Sequence, residues 1–278
     1  MHVVEAGKVN STAISSGATM YVSSGGTANS TVANGGHMYV SSGGTANSTI
    51  VDFLGSMYVS SGGTANSTIV DFLGSMYVSS GGTANSTTMS GGSMYVYEEG
   101  TANSTYIKGG FMHVSSGGTA NSTVVSGGWM YVSSGGIANS TTMSVGWMHV
   151  YEGGTANSTV VSGGDMYVSS GGTANSTTIS GGWMFVSSGG TANSTTMSGG
   201  SMYVYEEGTA NITYIKRGFM YVNAGGTANR TVVSGGKMYV SSGGTANSTY
   251  IKSGGYLNVK SGGTALSVSS DTGAIIIV

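Results

Sequence analysis

The chain contains no cysteine and no proline, and among 278 residues only 8 are Lys or Arg and 10 are Asp or Glu. Without cysteine there are no disulfides, no thiolate-bound zinc or iron–sulfur cluster and no thiol nucleophile. A formal net charge of −2 gives no electrostatic footprint for nucleic acid or an anionic membrane surface. No apolar run approaches the length of a membrane-spanning helix. The opening residues Met1 to Glu5 lack the basic and apolar regions of a signal peptide.

Glycine is what the chain has in excess, with 51 residues. It comes in pairs rather than at every third position, which excludes a collagen helix. Composition alone would allow a flexible Gly/Ser linker. The register of the aliphatic residues argues otherwise.

Thr-Ala-Asn begins at 27, 45, 64, 83, 101, 119, 155, 173, 191, 209, 227 and 245, with Ile137-Ala138-Asn139 and Thr264-Ala265-Leu266 as variant copies. The spacing is 18 residues, lengthened to 19 between Met1 and Met20, at the two Asp-Phe-Leu-Gly-Ser turns and near Tyr256. About 14 rungs of 18–19 residues follow, filling residues 1–278 as a single repeat domain. A unit this short holds two β-prone runs and has no room for a helix. The expected fold is all-β, a β-solenoid in which each repeat stacks on the last. Missing proline fits, because each inner strand must donate its N–H groups to a neighbour.

The columns assign the two faces. In the first run Met20, Met38, Met57 and their successors alternate with Val22, Val40 and Val59, so both line the core and the residue between them faces out. That outward column is mostly tyrosine: Tyr21, Tyr39, Tyr58, Tyr77, Tyr95, Tyr131, Tyr167, Tyr203, Tyr221 and Tyr239, with Trp129, Trp147 and Trp183 one position ahead of the methionines. A ladder of exposed aromatics could bind glycans or bury against a second copy. It could equally stack along the sheet for stability alone. In the second run the Thr31, Thr49 and Thr68 column and the Val51, Val70 and Met89 column face inward, and Thr-Ala-Asn is expected at the connecting corner, its Asn amides satisfying backbone groups.

The phrase Ser-Gly-Gly-x-Met-Tyr-Val-Ser-Ser-Gly-Gly-Thr-Ala-Asn-Ser-Thr-x-Val, as in 126–143, 162–179 and 234–251, resembles the passenger repeats of AIDA-type, self-associating autotransporter adhesins. The resemblance covers nearly the whole chain. It implies a right-handed parallel β-helix at the surface of a Gram-negative bacterium, active in adhesion, autoaggregation and biofilm formation. The implied partners are like molecules, a host-surface glycan or protein, and a glycosyltransferase that modifies repeat serines. The candidate O-glycosylation acceptors are Ser23, Ser24, Ser41, Ser42, Ser115, Ser116, Ser169 and Ser170. Serine is also an ordinary corner residue. Because Met1-His2-Val3 falls in the register of Met112-His113-Val114, the chain is expected to be a fragment of a longer passenger, opening in mid-rung.

An enzyme is not expected. Tyr97-Glu98-Glu99, Tyr151-Glu152 and Tyr205-Glu206-Glu207 recur every third rung, but neighbouring carboxylates diverge, and the next pair lies about 14 Å away by strand spacing, too far for glycosidase chemistry. They read as solvated corner charges, weakly paired with Lys108 and Lys216-Arg217. No catalytic, cofactor-binding or metal-ligating motif stands out. The alternatives kept open are a carbohydrate-binding or polysaccharide-degrading β-helix and, more remotely, an ice-binding solenoid.

Overall fold

The computed structural model describes all residues, Met1 to Val278. It shows an all-β, parallel, right-handed solenoid of about 15 turns with no helix. The chain divides into two compact units, Met1–Thr141 and Thr142–Val278, built on the same plan.

A typical turn has three strands, one more than the sequence pattern suggests, and these run together without a break in Thr191–Val204 and Thr209–Val222. In the first unit a typical turn runs Thr19–Val22, Thr27–Asn29 and Val32–Asn34. The second unit repeats it in Asp165–Val168, Thr173–Asn175 and Thr178–Ile179. Thr-Ala-Asn is therefore a strand and not a corner. The reason is its alternation: Ala28 and Ala46 are fully buried, while the flanking Thr and Asn are half-exposed. A small side chain in this column leaves the opposing Met and Val room in so thin an interior.

Pairing is parallel and in register, so that like stacks on like. Met57 pairs Met38 and Met76; Ala65 pairs Ala46 and Ala84. In the second unit Met166 pairs Met184, and Ala174 pairs Ala192. The extra turn comes from the start of the chain, where Lys8-Val9-Asn10 pairs Thr27-Ala28-Asn29. That turn has lost Thr-Ala-Asn but kept the fold.

The interior is five columns deep per turn. Met and Val come from the first strand, Ala from the second, and Thr followed by an aliphatic residue from the third. Each buried Met or Val side chain is worth about 1.5–3 kcal/mol. The threonine column is an oddity, since Thr31, Thr49, Thr68 and their successors are buried with Oγ1 unpartnered. Their methyl groups pack, and their β-branch suits a strand.

The corners fix the chain length of a turn. At the first corner the Ser-Ser-Gly-Gly turn closes with a bond such as Gly44 N to Ser41 O at 2.8 Å. Its central residues, Ser42 and Gly43, both have positive φ, +48° and +74°. The last glycine is required for a different reason: a Cβ on Gly44 would lie 2.2 Å from the carbonyl oxygen of Val22 in the turn before. The second corner is a single left-handed serine. Ser48, at φ +55°, turns its N–H away from the previous turn and donates to Asn66 O of the following one at 2.9 Å.

Beside that corner runs an asparagine ladder. Each Nδ2 donates to the Oδ1 of the turn before, as in Asn103 to Asn85 and Asn121 to Asn103, both 3.0 Å. The second unit repeats it from Asn175–Asn157 to Asn247–Asn229, again 3.0 Å. The amides satisfy one another and not the corner backbone. Replacing Asn103 with Ala removes two such bonds and should destabilise the first unit by about 1–3 kcal/mol. Chemical denaturation checks this, and a variant as stable as the parent would show the ladder to be idle.

Candidate interaction surface

The outward residues of the first strands form a continuous ring stack within each unit. In the first, His2, Tyr21, Tyr39, Tyr58, Tyr77, Tyr95, His113 and Tyr131 succeed one another with centroids 4.6–5.1 Å apart and planes within 15°. In the second, His149, Tyr167, Phe185, Tyr203, Tyr221 and Tyr239 do the same at 4.7–5.3 Å. The strand spacing dictates the distance. Parallel stacking gives each ring two neighbours and leaves its outer edge and hydroxyl facing solvent.

This environment alters proton affinities. Burial within the stack raises the Tyr39 and Tyr221 hydroxyls, and adjacent tyrosines add to it. Tyr167 is raised by burial first and then by Asp165, whose carboxylate accepts its hydrogen bond. His113 and His149 are pushed below the ordinary histidine value because burial disfavours the charged ring. A histidine held neutral in the fold contributes stability that is complete above its unfolded value of about 6.5 and is lost as the pH falls through the lowered one. Replacing both His113 and His149 with Tyr should therefore leave the melting temperature unchanged at pH 8 and raise it relative to the parent below pH 6. Parallel melting curves across that range would contradict the linkage.

The position ahead of the buried methionine is more varied. In the first unit Phe111 stacks on Trp129 at 4.9 Å. In the second, Trp147, Asp165 and Trp183 share one column in adjacent turns. Trp147 and Trp183 are exposed, the latter to 51 %.

The nominated serines lie at the first corner. Ser24, Ser42, Ser116 and Ser170 are exposed, and Ser23, Ser41, Ser115 and Ser169 half-buried. Their spacing matches that of the tyrosines, but on a separate edge. Sequence reasoning missed a second serine column, at the single-residue corner: Ser30, Ser48, Ser67 and Ser86 are exposed with φ of +53° to +56°. Ile212 and Arg230 hold that corner elsewhere at the same φ, a hint that the position tolerates any side chain because it points outward.

The glutamates take the first corner too. Glu98 and Glu99 occupy the Ser-Gly positions at φ +46° and +64°, exposed, with Ser80 Oγ donating to Glu98 Oε2 at 3.3 Å. Lys108 belongs to the third corner, where its ammonium sits over the Tyr106 ring, 5.3 Å from the centroid. The expected pairing of Lys108 with these glutamates is thus replaced by a cation–π contact.

The two Asp-Phe-Leu-Gly corners are the strongest departure from the repeat. Each is a four-residue turn, closed by Gly55 N to Asp52 O at 2.8 Å and Gly74 N to Asp71 O at 2.7 Å. The same hydrogen bond closes Ser15–Ala18, Lys252–Gly255 and Asp271–Ala274, though of the second residues only Phe53 is left-handed, at φ +36°. There its third residue is Gly17, Gly254 or Gly273, at φ +76° to +87°. Here it is Leu54 or Leu73, at φ +64° and +58°. A non-glycine residue in that region costs roughly 1–2 kcal/mol. Phe53, Leu54, Phe72 and Leu73 are nonetheless 54–61 % exposed.

Taken together, the parallel turns and the in-register ladders define a repetitive β-helical stalk. Comparison with known proteins places it further. The family model described as "Adhesin of bacterial autotransporter system, probable stalk" matches residues 29–71. Among solved structures, the crystal structure of the TibC-catalysed hyper-glycosylated TibA fragment 55–350 superposes with a TM-score of 0.80 and 36 % identity, over 97 % of this chain and 96 % of that one. A search of the curated proteins gives no match. The chain belongs to the AIDA-type autotransporter adhesins, as an adhesin passenger of that family.

Proposed function

We propose that this segment is a non-enzymatic surface module that holds cells together by self-association, driving autoaggregation and biofilm formation at the Gram-negative cell surface. The observation that carries the reading is the repetition of one outward edge-on aromatic site at every turn, from Tyr21 through Tyr131 and from Tyr167 through Tyr239. Many weak identical contacts sum by effective concentration. Identical turns also let two molecules engage in several registers, which suits clumping better than recognition of one unique receptor. Trp129, Trp147 and Trp183 widen the aromatic strip, and a host-surface glycan or protein is a second partner for it.

The serine edge supports a modifying enzyme as partner. TibA, alike over nearly its whole fragment, is hyper-glycosylated by TibC. By that analogy a glycosyltransferase modifies this chain, with Ser24, Ser42, Ser116 and Ser170 as the exposed acceptors and Ser23, Ser41, Ser115 and Ser169 beside them. Nucleic acid and direct insertion into a membrane have no place in this account.

Beads coated with the chain should clump, and replacing Tyr58, Tyr77 and Tyr95 with Thr should reduce clumping several-fold while the β-sheet circular dichroism persists. Folded arrays that never clump would overturn the self-association reading.

A further inference from the structure

The Asp-Phe-Leu corners point to a specific docking site within that self-association, and the inference rests on the self-association reading. Leu54 and Leu73 stand where three other turns with the same closing hydrogen bond use Gly17, Gly254 and Gly273, and Phe53 and Phe72 where those turns use Ser16, Ser253 and Thr272; in the first of the two corners Phe53 is left-handed as well, at φ +36°. The chain thus contains the same closing bond built from small, mostly polar residues. At two successive corners it instead carries an unfavourable backbone and four apolar side chains that the fold leaves more than half exposed. Phe53 and Phe72 stack at 6.5 Å, and the Asp52 and Asp71 carboxylates cap the turns by accepting from the Phe53 and Phe72 amides at 2.7 and 2.9 Å. The corners are held in shape, as a binding element requires.

Next to the projection lies a recess. Its lining mixes Ala13 and Val32 with the polar Ser15, Ser16 and Asn34, Phe53 and Leu54 stand at its side, and its volume is about 650 Å³. It exists because the corner at Gly35 has only two residues before His37, leaving a step below the longer Asp52–Gly55 turn. His37 Nδ1 has no hydrogen-bond partner there. The outward faces of Val32, Ile50 and Ile69, each 36–39 % exposed, extend the apolar surface along the third strands.

We propose that a second copy of this chain docks here, antiparallel, about a two-fold axis at the level of Phe53 and Leu54. The recess lies one corner to one side of that level and Phe72–Leu73 one corner to the other. A dyad there places the Phe72–Leu73 projection of each copy in the recess of its partner. Knob and hole on one face at equal distances from one level are what an isologous contact needs. The exposed faces of Phe53, Leu54, Phe72 and Leu73, with Val32, Ile50 and Ile69 beside them, make a patch of the few-hundred-Å² order of a monomer's largest, and two such patches together reach only the low end of specific interfaces. The contact is therefore weak singly and effective when many chains are displayed side by side.

The test uses the whole chain. Phe53→Ser, Leu54→Gly, Phe72→Ser and Leu73→Gly together write the Ser253–Gly254 corner into both turns. That variant should melt no lower than the parent, because it relieves the left-handed leucines. In sedimentation velocity from micromolar to near-millimolar concentration, its self-association should weaken about tenfold or more. Since the chain has no cysteine, Leu54→Cys gives a single thiol near the dyad and should form a dimeric disulfide faster than Ser253→Cys at an equivalent turn. If the parent associates, but the corner variant associates equally and the two thiols cross-link at the same rate, the docking site is wrong while self-association stands. A parent that is folded and monomeric throughout removes both. Corner-dependent flotation with phosphatidylcholine vesicles, without dimerisation, would replace the second copy with a lipid surface and also overturn the proposal.

Discussion

Everything in this chain depends on one constraint: each turn must present to the next the same backbone, at one strand spacing, with each residue above its counterpart. The interior is too thin for long-range packing, so stability comes from nearest neighbours along the stack. Parallel hydrogen bonds run between turns, and the asparagine and tyrosine ladders run with them because identical side chains at 4.7–4.9 Å can stack or bond in a line. Glycine and left-handed serine follow from the same demand. The last glycine of each Ser-Ser-Gly-Gly corner sits where a Cβ would strike the carbonyl of the turn before, and proline would break the inter-turn bonds.

That constraint separates inside from outside cleanly. Inward positions are nearly invariant along the chain: Met, Val, Ala, Thr and an aliphatic residue. Outward positions and corners are where one turn differs from another without harming the stack. Chemistry can be written there as repeated tyrosines, as paired glutamates, or as the Phe-Leu projections. An adhesin stalk built this way gains function by repetition, and specificity only where the repeat is interrupted.

Much of this was legible in the sequence. The 18-residue period, the Met-x-Val alternation and the wandering residue between Thr and Val gave the solenoid, its core columns and its outer face. The third strand was hidden because Thr-Ala-Asn is short, contains a small residue and lies between serines, so local propensity reads it as a turn; tertiary stacking decides otherwise. The turn at Lys8-Val9-Asn10 escaped the motif but not the hydrogen-bond pattern. The left-handed serines were invisible because serine has no strong preference for that conformation. The Phe-Leu corners showed only as a 19-residue step, which does not fix whether apolar corner side chains fold inward; stacking leaves them pointing out.

The central claim is that in-register stacking of turns, and not any particular contact, holds the chain together. Excising one whole turn, residues 119–136, joins Gly118 to Ile137 and keeps every column aligned. Deleting Ala120 alone reverses the facing of the residues around it. Thermal unfolding followed by circular dichroism compares the two. The account predicts that the 18-residue excision leaves the β-sheet spectrum and a melting temperature close to the parent, while loss of the single alanine lowers it sharply. Equal tolerance of both deletions, or collapse on removing the intact turn, would contradict it.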